Sequence, residues 1–156
     1  MFCVAITDET RIINTPNGDE EITETVRHEL PDLKAVLRYL RAYHDRNVTE
    51  IADSIADGRA DADEWNSIGG FTVKLENQHG HTVEIALGIE FALFMRLQPE
   101  PLQIYRNGPD SDEILDFFID GGHHTEFELR ELAYVDDCIK CLSEWLESSQ
   151  FPANAG

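Results

Sequence analysis

Basic residues are scarce in this chain of 156 residues: 12 Lys and Arg stand against 31 Asp and Glu, a formal charge of −19. A field of that sign repels nucleic acid and anionic lipid surfaces and favours a cationic partner. Long apolar runs are missing too. None approaches the ~18 residues a membrane-spanning helix needs. The opening Met1-Phe2-Cys3-Val4 passes directly to Asp8 and Glu9 with no basic start, which predicts no secretory leader and a cytoplasmic location. Cysteine is limited to 3, an odd number that argues against a disulfide framework. There is no nucleophile elbow, no phosphate-cradling glycine loop and no HExxH helix. Gly69-Gly70 and Gly121-Gly122 are too short to cradle phosphate. Carboxylates are so abundant that no pair stands out as catalytic. The sequence predicts a protein that is not an enzyme and carries no cofactor.

What is present suits a folded domain: 42% hydrophobic and 28% charged residues are ordinary globular values. Residues 1–156 read as one domain, with 151–156 a frayed tail. Thr82 to Leu97, TVEIALGIEFALFMRL, organises the rest. Its odd positions, Val83 through Leu97, are all apolar; its even positions are charged or small except Phe94. Period-two alternation predicts strands with one apolar and one wet face. Unbroken, the run would span roughly 50 Å, so a turn is expected at Gly88-Ile89-Glu90. A three-residue loop would pair Leu87 with Phe91, Ile85 with Leu93 and Val83 with Met95.

Around that hairpin the pattern predicts strands over Phe71–Glu76, Thr82–Leu87, Phe91–Leu97, Leu102–Arg106, Ile114–Asp120 and Thr125–Leu132. Phe2–Thr7 and Arg11–Thr15 read as two short β pieces joined at Asp8-Glu9-Thr10, ahead of a turn at Thr15-Pro16-Asn17-Gly18-Asp19. Leu33, Val36, Leu37 and Leu40 recur at helical spacing behind Asp32, up to about Asp45. Val48–Gly58 repeats that spacing more weakly, and Asp57–Glu64 reads as a polar loop. Val135, Cys138, Ile139, Leu142, Trp145 and Leu146 share one face of a last helix. The fold class is therefore α+β: an antiparallel sheet of five to seven strands with two to three helices packed on it. Val83, Ile85, Leu87, Phe91, Leu93, Leu142 and Trp145 are expected in the core.

Cys138-Ile139-Lys140-Cys141 lies within that helix, away from the helix start where a redox pair gains acidity, so it reads as packing. His79 and His81 flank Gly80 in one turn, and His123 and His124 follow Gly121-Gly122 in another. If the two turns met they could hold a metal or small molecule. That is the rival functional reading, though no metal ligand set is expected from spacing alone.

The acidity is uneven. Residues 108–137 hold ten acids and one base, Arg130. In TEFELREL, Phe127 and Leu129 face one way and Glu126, Glu128 and Arg130 the other. Such a ridge suits docking of a basic protein, an edge strand charged against aggregation, or general salt adaptation. The candidate contacts are Asp110, Asp112, Glu113, Asp116, Asp120, Glu126, Glu128 and Glu131, with half-burial the alternative expectation for Asp116, which stands in a hydrophobic run.

From HTVEIALGIEFALFMRL to GGHHTEFELRELAYVDDCIKCLSEWLESSQFP, about residues 70–152, the order of elements resembles the first immunity-protein family of bacterial polymorphic-toxin systems. Thr125-Glu126-Phe127 after glycines, Val135 leading a helix and Pro152 behind it carry the likeness. Ser148-Ser149 stand where that family often has Gly, and Ala153-Asn154-Ala155-Gly156 where a Trp often follows the last proline. The resemblance implies a small cytoplasmic α+β protein that binds and blocks a toxin domain of the deaminase or nuclease class. Its partner would carry a basic surface, with no direct contact to nucleic acid or membrane.

Overall fold

The computed structural model describes residues 3–59, 67–119 and 123–152. The chain begins with two long strands, β1 (Cys3–Thr15) and β2 (Gly18–Leu30), followed by the helix α1 (Leu33–Ala56). Then come β3 (Ser67–Phe71), β4 (Val73–Asn77), β5 (Thr82–Leu87), β6 (Phe91–Gln98) and the short β7 (Gln103–Ile104). The strands β8 (Ile114–Ile119), β9 (His123–Glu128) and β10 (Ala133–Tyr134) lead into α2 (Val135–Ser148). The class is α+β. A seven-stranded antiparallel sheet runs in the order β10-β6-β5-β4-β1-β2, with β7 on β6, and a separate three-stranded sheet runs β3-β8-β9.

The central hairpin forms, but in another register. Gly88 N donates to Phe91 O at 3.1 Å, leaving Ile89-Glu90 as a two-residue tip. Leu87 then stands opposite Ala92, Ile85 opposite Phe94 and Ala86 opposite Leu93. An even loop inverts the face of everything after it. Phe94, the apparent exception to the alternation, thus joins Ile85 and Leu87 in the core made with Val36, Leu40, Leu142 and Trp145. Leu93 and Met95 join Ala86 on the opposite face, packed with Phe117, Phe127 and Leu132. The face expected to be wet is covered by the second sheet. Phe91 is accordingly half-buried rather than fully inside, and Ile89 at the tip is 96% exposed.

The other expected strands are redistributed. Phe71–Glu76 divides at Thr72: Phe71 ends β3, which pairs parallel with β8, and Val73 starts β4 in the large sheet. Gly69 permits this crossing, because a Cβ there would sit 2.5 Å from the Phe117 ring. The 114–132 hairpin belongs to the small sheet instead of the large one. Its second strand stops at Glu128, where a 3-10 turn, Leu129–Glu131, begins.

Both helices follow local chemistry. Asp32 Oδ1 accepts from Ala35 N at 2.8 Å, capping α1, which continues without a break to Ala56. Cys138, Leu142, Trp145 and Leu146 are the buried stripe of α2. Ser149, in the left-handed region at φ 64, closes α2 by donating its N–H to Trp145 O.

β1 runs through Asp8-Glu9-Thr10 as one strand because each polar residue finds a cross-strand partner. Thr25 Oγ1 donates to Asp8 Oδ1 at 2.8 Å, and the Thr10 and Thr23 hydroxyls meet at 2.9 Å. Only Cys3–Ile6 of β1 also pairs with β4. The rest of the pair extends as a two-stranded ribbon turned at Pro16-Asn17, with both faces largely solvated and Ile12 66% exposed. Among the described residues no helix is long and apolar enough to cross a membrane.

Candidate functional site

The small sheet carries most of the acidic candidates. Pairing of β8 with β9 sets Ile114 opposite Glu128, Asp116 opposite Glu126 and Phe118 opposite His124. The alternate residues Leu115, Phe117, Ile119 and Phe127 turn inward to the second core. Asp110, Asp112, Glu113 and Glu126 are exposed, with the Asp110 side chain 94% open. The loop before β8 is laid against the end of the hairpin by Leu129 N donating to Glu113 O at 2.9 Å and Arg130 N to Ser111 O at 3.3 Å.

Three candidates have other work. Glu128 accepts from Arg130 Nε at 2.8 Å, and Arg130 also reaches Asp110 at 3.4 Å. Glu131 Oε1 accepts the Glu128 N–H at 3.0 Å, which ties its carboxylate to the local turn. Asp116 is not a surface contact at all. It lies on the middle strand with 0% exposure, its Oδ1 2.6 Å from His124 Nε2. Asp120 lies outside the described residues.

The four histidines do not converge. His79 and His81 belong to the β4–β5 turn, whose N–H groups donate to Asn77 Oδ1 at 3.0 and 3.1 Å, and His79 Nε2 lies 3.2 Å from Glu147 O of α2. That turn is docked on a helix end, whereas His123 and His124 lie on β9 of the other sheet. Among the described residues a single group of three metal-capable side chains occurs, Asp116, His124 and Glu126, with one ligand atom from each within 4.8 Å of the others. Sequence spacing did not offer this trio, since it requires the cross-strand register.

Composition missed two further features. A polar cavity of about 440 Å³ is lined by β1, β4, β5 and α1 residues, with Phe71 and Phe118 forming its aromatic wall. Within it Glu84 is 5% exposed, accepts from Thr72 Oγ1 at 3.2 Å and stands opposite Lys74 in register. Burial pushes the Tyr43 phenol at its rim above the ordinary range. The ribbon is a second acidic surface: Asp8, Glu9, Asp19, Glu20, Glu21 and Glu24 are all exposed on it.

The cysteines play the part expected of them. All three are free, with Cys3 and Cys138 buried. Burial raises every one of their thiols above the usual value, the opposite of what a redox pair requires.

The chain matches no family model, no curated protein and no solved structure.

Proposed function

We propose that this protein is a stoichiometric binding inhibitor that captures a basic protein domain and performs no catalysis of its own. The partner class, a toxin domain that deaminates or cuts nucleic acid, comes from the family resemblance. The observation that carries the reading is the row of exposed carboxylates along one hairpin and its leading loop, Asp110, Asp112, Glu113 and Glu126. Of the bases in that region, Arg130 is already held by Asp110 and Glu128. A domain that acts on nucleic acid needs a cationic cleft, and fixed carboxylates can occupy it in place of phosphates. Such complementarity raises association rates by orders of magnitude.

Segregation of charge favours this over simple salt adaptation. The bases Lys34, Arg38, Arg41 and Arg46 are all exposed on α1, so the surface is not uniformly acidic. The test is to find a basic domain encoded beside this chain, co-purify the two, and measure association by stopped flow. Reversing Asp112, Glu113 and Glu126 to Lys together slows association at least tenfold and flattens its salt dependence, with the circular dichroism spectrum unchanged. Unaltered kinetics in that variant, or no retention of a basic neighbour, refutes the proposal.

A further inference from the structure

We infer that Asp116, His124 and Glu126 form a binding site for a divalent transition metal of the zinc type, a site that shares only Glu126 with the proposed partner-binding row. Antiparallel register places Asp116 of β8 opposite Glu126 of β9. His124 lies two residues before Glu126, on the same face of that strand. One nitrogen and two carboxylate ligands thus converge within 4.8 Å. The second observation is the state of Asp116 itself. Its side chain is fully buried; Oδ1 is taken by His124, and the adjoining Oδ2 is buried with no hydrogen-bond partner among the described residues. A carboxylate oxygen withdrawn from water and left unsatisfied is destabilising. A cation held beside it removes that penalty.

The ring that must reach such an ion is already positioned. His124 stacks on Phe118 at 5.6 Å between ring centroids, and Phe118 stacks on Phe71 at 4.5 Å. Imidazole with two carboxylates suits Zn²⁺ in a tetrahedral shell whose fourth position stays open to water. Mg²⁺ and Ca²⁺ prefer oxygen-only shells. Metal–ligand bonds of ~2.0–2.2 Å set tetrahedral donors about 3.4 Å apart. The Asp116–His124 pair, at 2.6 Å, therefore opens slightly and the exposed Glu126 swings inward.

The experiment is calorimetric titration of ZnCl₂ into the chelator-treated, tag-free full chain, with MgCl₂ in parallel and Co²⁺ absorption as a report on the ligand set. One zinc per chain is expected, with a raised melting temperature and no Mg²⁺ binding. His124→Gln and Glu126→Gln alter exposed side chains, so the fold should survive, as circular dichroism would verify. Each is expected to weaken zinc binding tenfold or more, whereas the doubly substituted His79→Gln/His81→Gln chain binds as before. Absent stoichiometric binding, equal binding of Mg²⁺, or zinc lost with His79 and His81 but kept without His124 overturns the assignment; the last outcome means an adventitious ion only.

Discussion

The side-chain Nδ2 of Asn77 donates to the main-chain oxygen of Trp145 at 3.1 Å, across 68 residues of sequence. The same nitrogen donates to Ser149 Oγ at 2.8 Å, while Oδ1 accepts from His79 N and His81 N. One buried amide thereby fixes the β4–β5 turn and fastens the end of α2 to it. Asn77→Ala should lower stability by about 2–4 kcal/mol, the sum of several ordinary buried hydrogen bonds, in urea denaturation. Asn77→Asp keeps the acceptor that organises the turn but turns an oxygen on Trp145 O. It should be destabilised comparably with the turn intact, visible as preserved His79 and His81 amide protection and lost protection at Ser149.

Gly88 marks the place where the two sheets press together. A Cβ there would lie 2.5 Å from Gly69 O and 2.6 Å from Phe91 O, both main-chain atoms that cannot swing aside. Gly88→Ala should therefore cost about 3 kcal/mol or more, the upper end for overpacking. Gly58 has φ +73 but open space around it, so Gly58→Ala bears only left-handed backbone strain, about 1–2 kcal/mol. Equal losses in the two variants would contradict the close approach of the sheets.

Alkaline pH should unfold the protein earlier than its surface charge alone would. Desolvation raises the Cys3 thiol from 9.0 to about 12. Desolvation, then the neighbouring Cys141, raises the Tyr105 phenol from 10.0 to about 12. The unfolded chain releases these protons first, so the folded state binds more protons through that window. Stability is intact below about pH 9 and declines up to about pH 12. Urea midpoints measured between pH 8 and 11 should fall, and Tyr105→Phe should flatten the decline. A flat profile in the parent chain would refute it.

The register of β5 and β6 makes a direct contrast. Phe94 is 0% exposed and opposite Ile85, so Phe94→Ala should cost about 3–5 kcal/mol. Leu97, apolar by the same alternation, is only half-buried, and Leu97→Ala should be tolerated with a loss of about 1 kcal/mol. The reverse order would restore the three-residue loop that parity suggested.

That contrast shows where local pattern stopped being informative. The helix start at Asp32, the Leu142–Trp145 stripe, the turn at Pro16-Asn17 and the inward Phe127 of β9 are all short-range features, and all were legible. Loop parity at Gly88 was not: alternation favoured the odd set with Leu93, whereas Ala92 and Phe94 are apolar too and the second sheet covers the other face. Nor could alternation say which sheet a strand joins: Leu115, Phe117 and Phe127 look the same on either. Asp116 did leave a signal. It shares its face with Ile114 and Phe118, two large apolar neighbours that an open acidic ridge would not carry. Its convergence with His124 and Glu126 depended on the β8–β9 register, which follows from pairing rather than from spacing along the chain.

Beyond Glu9 and Glu24 the β1–β2 ribbon pairs with itself alone. Its tip at Pro16-Asn17 stands roughly 20 Å further along the strands, and no core side chain depends on it. The tip is therefore a port: an epitope, a fluorophore or a surface anchor inserted between Pro16 and Asn17 should leave the melting temperature within a degree or two. A chain tethered there would be held by a segment that belongs to neither core cluster.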